Sequence, residues 1–151
     1  MKTILLYQPW AKLVMIGAQQ YVTKSWATNY CGPLLIYAAK RFSKAEKDVC
    51  REEPFRSALA DVIDGDSSNP LFDAFPLGAI VGMVRLISCR AIGPNLLSEL
   101  DDRELGFGEY RLGRWAWKLQ NPAEFKKPIA TKGSHGMWDF PDRNLTRGSQ
   151  S

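Results

Sequence analysis

The chain has 151 residues, 45% of them hydrophobic and 24% charged, enough for one domain whose core forms without disulfides or a structural metal. No apolar run approaches the roughly 20 residues of a membrane-spanning helix, and the first apolar stretch breaks at Pro9, too early for a secretory leader, so the cytoplasm is the expected compartment. The formal charge of +4 favours an anionic partner, while Cys31, Cys50 and Cys89, widely spaced and without a Cys-x-x-Cys pair, argue against a disulfide framework and a zinc site.

Thr3 to Tyr7 reads as a short buried strand. Pro9 then suits the first position of a short helix, where a missing N–H costs nothing, with Trp10, Leu13 and Val14 on its inward face and Gly17 ending it in a left-handed conformation. Tyr21 to Trp26 and Leu34 to Ala38 read as strands joined by a polar turn containing Asn29 and Gly32-Pro33. Ser43 with Glu46 three residues on is a capping box that starts a helix whose Lys44, Lys47 and Asp48 face water. Pro54 divides this helical stretch, and Phe55, Leu59, Val62 and Ile63 form the apolar stripe of its second part.

Asp64 to Pro70 is a loop inside the domain, dense in residues that satisfy turns with their own side chains. Ala79 to Ile87 is a long strand in which Gly82 marks a bulge or bend of the kind barrels use at corners. A short helix is expected within Asn95 to Glu104. Arg114 to Leu119 follows with the period of a strand, Trp115 and Trp117 sharing one inward face. The last strand is expected near Ile129 to Lys132 or Met137 to Phe140, giving one domain over residues 1–140 and a mobile polar tail over 141–151.

Several separated segments together resemble the ASCH domain family, whose members carry a β-barrel like that of RNA-binding PUA domains. They are Gln8-Pro9-Trp10, Gly17 with a strand ending in Ser25-Trp26, Gly32-Pro33-Leu34-Leu35-Ile36-Tyr37-Ala38-Ala39-Lys40, Gly78 to Val84, Gly108-Glu109-Tyr110 through Trp117, and Lys132-Gly133 through Trp138. The resemblance implies an α+β fold: a PUA-like mixed or antiparallel β-barrel with flanking helices and a helical insert. The family pattern after the first helix resembles Gly-x-Lys-x-x-Glu-x-Arg, with Thr replacing Glu in members that hydrolyse an acylated nucleoside. Gly17, Gln19, Val22 and Lys24 stand at those positions. Gln19 is no proton-accepting amine and Val22 has no hydroxyl, so both the activator and the nucleophile of that amidohydrolase chemistry are missing.

Lys24, Lys40, Arg114 and Lys132 sit beside apolar strands, where they can hold phosphates by charge-assisted hydrogen bonds; the ordinary alternative is solvated strand ends. Glu109 can accept from a base edge or act as a general base, and Tyr110 can stack or orient a phosphate; a turn-capping Glu and a packing Tyr explain them equally. Trp26, at a strand end with Ser25, is the stacking candidate among tryptophans that otherwise belong to the core. Ser134 and the only histidine, His135, lie between glycines in a loop whose backbone N–H groups can touch an anion; a catalytic Ser134-His135 pair lacks the third orienting group. Nothing points to a metal or a cofactor.

These residues allow three functions. One is a binding module for single-stranded RNA or a modified nucleotide in a basic, aromatic-bordered cleft. The second is a hydrolase of ribonuclease or amidohydrolase type, acting on RNA or a modified nucleoside through Lys24, Lys40, Glu109 and Tyr110. The third is an adaptor that docks a protein partner on an apolar face of the insert from Ser43 to Ile63.

Overall fold

A computed structural model describes residues 1–62 and 74–145. Strand β1 is Lys2–Leu6, and helix α1, Trp10–Met15, follows with Pro9 at its N-cap instead of inside its first turn. The Gln8 side chain does the capping: its Oε1 accepts the Lys12 N–H at 3.0 Å. Gly17, at φ +79°, takes the left-handed conformation that ends the helix. Strand β2 is Tyr21–Lys24, two residues shorter than its apolar pattern, because Lys24 lies opposite Trp115, where its partner strand begins. After β3, Gly32–Ala38, come α2, Lys44–Val49, and α3, Phe55–Ala58. Glu46 closes the capping box, accepting the Ser43 N–H at 3.0 Å.

Strand β4 runs from Ala79 to Ala91. The helical stretch after it divides into α4, Pro94–Ser98, and α5, Asp102–Phe107, the second started by Asp101, whose carboxylate accepts the Glu104 N–H at 2.8 Å. Strand β5, Trp115–Ala130, joins what the sequence suggests are two separate strands, and β6, Met137–Asp139, is the last. Asp142 to Asn144, in the expected tail, form a single 3₁₀ turn. Ile63, the Asp64 to Pro70 loop and residues 146–151 lie outside the described residues.

The strands form one mixed sheet in the order β2-β5-β4-β3-β1-β6, antiparallel except for the parallel pair β1 and β3. Its end strands, β2 and β6, share no ladder, so the barrel expected from the sequence is an open sheet with two edges. The sheet is nevertheless rolled. Four ladder steps separate β2 from β1, about 19 Å if the sheet were flat, yet Lys24 Nζ donates to the Leu5 carbonyl at 2.8 Å. Inside the roll, Ile4, Val22, Leu34, Ile36, Val84 and Trp117 pack with α1 residues Val14 and Met15.

The insert faces inward. Phe55 and Leu59 pack with Leu13 of α1 and Phe107 of α5, and the rings of Trp10, Phe55 and Phe107 meet edge to face at 5.8 and 5.2 Å. Phe55 and Leu59, two residues of the stripe that an adaptor would offer, are therefore spent on fixing α3 beside α1 and α5, with Val62 packed partly against them.

Candidate functional site

The roll leaves one end open, and a cleft of about 560 Å³ lies there. One wall is the end of β1 and the start of α1, from Leu5 to Tyr7 and Trp10. The second is β2 and its extension, Val22 to Trp26. The third is the turn after α5, Gly106 to Glu109, with Arg114 behind it; Val49, Glu52 and Phe55 of the insert close the rim.

Each wall is held by a specific contact. Trp10 Nε1 donates to the Phe107 carbonyl at 2.7 Å, tying α1 to the end of α5. The buried Glu104 carboxylate accepts the Gln20 N–H at 2.9 Å and so pins α5 to the start of β2; burial raises its pKa above the usual carboxylate value. Trp26 stands edge-on to the fully buried Trp117, with ring centroids 4.7 Å apart and its carbonyl accepting from Trp117 Nε1 at 3.3 Å. Arg114 Nη2 donates to the Thr23 carbonyl at 3.1 Å, and Glu109 pairs with Arg111 at 2.7 Å.

Two cations thus share the cleft. Burial, with the neighbouring Arg114 charge adding to it, lowers the Lys24 pKa from 10.5 to about 8. Two polar atoms there are buried without a hydrogen-bond partner among the described residues: Arg114 Nε, 3.9 Å from the Glu109 carboxylate, and Gln19 Oε1, whose amide nitrogen is committed to the Tyr21 carbonyl at 2.7 Å. One orphan is a donor and the other an acceptor. Buried polar groups are rarely left so, and since neither atom is exposed, a molecule in the cleft reaches them only after the side chain moves.

Five residues singled out in the sequence line this cleft: Lys24, Ser25, Trp26, Glu109 and Arg114. Four do not. Tyr110 turns into the small cluster of Tyr21, Ile92 and Leu96, where burial pushes its phenol pKa up. The Lys40 stem lies against Gly78, and exposed Lys132 precedes Gly133, whose backbone lies against the Tyr37 ring. Ser134 is exposed and its hydroxyl donates to the His135 carbonyl at 3.4 Å, so no Ser-His dyad forms. Sequence reading treats Trp10 as pure core, whereas its half-buried ring also forms a cleft wall. Gln19 and Val22, at the positions of the missing family residues, line the cleft too. Among the described residues no group of His, Cys, Asp and Glu is placed to hold a metal ion, and no helix is long and apolar enough to cross a membrane.

No family model matches the sequence, and no curated protein matches it. Solved structures do. The ASCH protein of Zymomonas mobilis aligns at 13% identity over 97% of this chain and 91% of that one, with a TM-score of 0.59. A tyrosine-to-phenylalanine mutant of that protein aligns at 11% identity over 97% and 94% with a TM-score of 0.54. A serine-to-alanine mutant aligns at 12% over 97% and 92%, also with a TM-score of 0.54. The chain therefore has an ASCH-like fold, at an identity that speaks to fold alone.

Proposed function

We propose that the protein is an RNA- or nucleotide-binding module whose rolled sheet acts as an open PUA-like barrel and whose cleft takes one nucleotide of a single strand, or a modified nucleotide. The observation that carries this reading is the meeting of Lys24 and Arg114 with Trp10 and Trp26 in a cavity of ordinary ligand size. In this reading the cations hold a phosphate, a base packs against an indole, and Glu109 accepts a hydrogen bond from the base edge. The likeness to ASCH structures is compatible with this and supplies no ligand.

The test is binding of short single-stranded RNAs across a salt series. Affinity is expected to fall as salt rises, and Lys24→Met or Arg114→Ala is expected to weaken binding and flatten the log-log salt slope by about 0.7 for each phosphate that is no longer neutralised. Salt-independent binding, or none to RNA or modified nucleosides, would overturn the reading.

A second reading, a hydrolase, is favoured by the depressed Lys24 pKa of about 8, which leaves part of the amine neutral near physiological pH and able to take a proton within reach of a bound substrate. Lys40 and Tyr110 face elsewhere, so this chemistry falls to Lys24 and Glu109. Lys24→Arg separates the two readings: it keeps the charge and largely preserves binding, whereas turnover of RNA or an acylated nucleoside that needs a neutral amine disappears.

A further inference from the structure

The cleft does not end at its rim. Tyr7, Trp10 and Val49 also wall a second depression of about 330 Å³, bounded on its far side by Arg41, Ala45 and Glu46. The two hollows share three side chains, so they form one continuous surface. Tyr7 follows β1 immediately and is 40% exposed, although most large apolar side chains here are buried. Arg41 has a side chain that is 67% exposed and only a 3.5 Å pairing to Glu46. Glu46 is already engaged by Ser43, whose hydroxyl donates to its carboxylate at 2.9 Å. Arg41 therefore keeps most of its donors for a partner outside the fold.

We infer that this second hollow is a subsite for the neighbouring nucleotide of the same strand, with Tyr7 as the stacking platform and Arg41 as the contact to its phosphate. The inference rests on the nucleotide-binding reading and deepens it: the ligand class becomes a single-stranded oligonucleotide of two or more residues instead of a free mononucleotide. An exposed aromatic and a guanidinium beside it are what a sequence-tolerant single-strand site requires, since every base has a face to stack and every linkage a charge to pair. The shared walls make the occupancy sequential: a strand leaving the first hollow passes over Tyr7 before reaching Arg41.

The experiment compares uridine and adenosine 5′-monophosphates with the tetranucleotides rU4 and rA4, titrated against the intact protein and its Tyr7→Ala, Tyr7→Phe and Arg41→Ala variants, each first checked for native circular dichroism. The tetranucleotides are expected to bind at least about tenfold more tightly than the mononucleotides, the share that one stacked base contributes. Tyr7→Ala and Arg41→Ala are expected to remove most of that advantage, Arg41→Ala without changing mononucleotide affinity, while Tyr7→Phe keeps it. Mononucleotide binding with no gain from the tetranucleotides, or a gain that survives both alanine variants, overturns the subsite and leaves the first cleft standing. Binding of neither probe class overturns the parent reading and the subsite together.

Discussion

Lys24 is the residue on which fold and site meet, because one ammonium both ties β2 to β1 and faces the cleft. Its tether to Leu5 and its depressed pKa come from the same burial. The depressed value has a definite sign in stability. Between about pH 8 and the ordinary value of 10.5 the unfolded chain binds the proton more readily than the folded one, so the Lys24 contribution to stability rises with pH across that window and is least favourable below it. Urea unfolding of the protein and its Lys24→Met variant at pH 7 and pH 10 checks this: the stability difference is expected to move in favour of the native protein at the higher pH. A difference that is flat between the two values would mean that the amine is as well solvated as in the unfolded chain.

At the scale of elements, the long β4-β5 ladder shifts register three times, and of these the shift at Gly82 was legible in the sequence. Gly82 announced a bend, and both ladders of β4 shift register near it, between Ile36 and Tyr37 on one side and between Ile80 and Gly82 on the other. A Cβ at Gly82 would lie 2.4 Å from both the Ala123 carbonyl oxygen and Met15 Sδ. Gly82→Ala is therefore expected to destabilise the protein by about 1–3 kcal/mol, read as a lower urea midpoint, since the Met15 side chain can turn aside but the Ala123 carbonyl of β5 cannot withdraw freely. Strand β1, the capping box and the inward face of Trp115 and Trp117 were legible because period, cap chemistry and burial agree there. Residues 120–128 were not, because Asn121, Pro122 and Pro128 read as breakers; β5 carries them where the β2 ladder has already ended and no N–H is demanded on that side. For the same reason the candidate site was half legible. Lys24, Trp26 and Arg114 follow from where strands end and Glu109 from the segment after Gly108, whereas the placing of Lys40 and Tyr110 depends on which side of the chain each takes, and Trp10 on which helix packs against it.

In the whole molecule, the rolled sheet stays open, and across the roll Lys24 gives its edge strand β2 a side-chain tether to β1 instead of a second backbone ladder. Strand β3 is the interior of the sheet, with Leu34 to Ala38 buried and both neighbours paired, whereas β2 is a four-residue edge held by β5, by Glu104 at its start and by Lys24 at its end. Amide hydrogen exchange is therefore expected to be slowest at Leu35 to Tyr37 and much faster in β2, with Lys24→Met quickening β2 and leaving β3 unchanged. A nucleotide that spans Lys24, Arg114 and the turn after α5 bridges the two walls that this edge separates. Bound single-stranded RNA is expected to slow exchange at Thr23 to Trp26 and at Gly108 and Glu109, with no effect on β6, which lies at the other edge of the sheet. Protection appearing at Lys132 to Gly136 instead would move the ligand to the glycine-flanked loop, and protection nowhere would separate the rolled sheet from any nucleotide role. In the proposed binding mode Lys24 contacts the nucleotide with the same ammonium that ties β2 to β1, so Lys24→Met is expected to lower both affinity and the protection of β2.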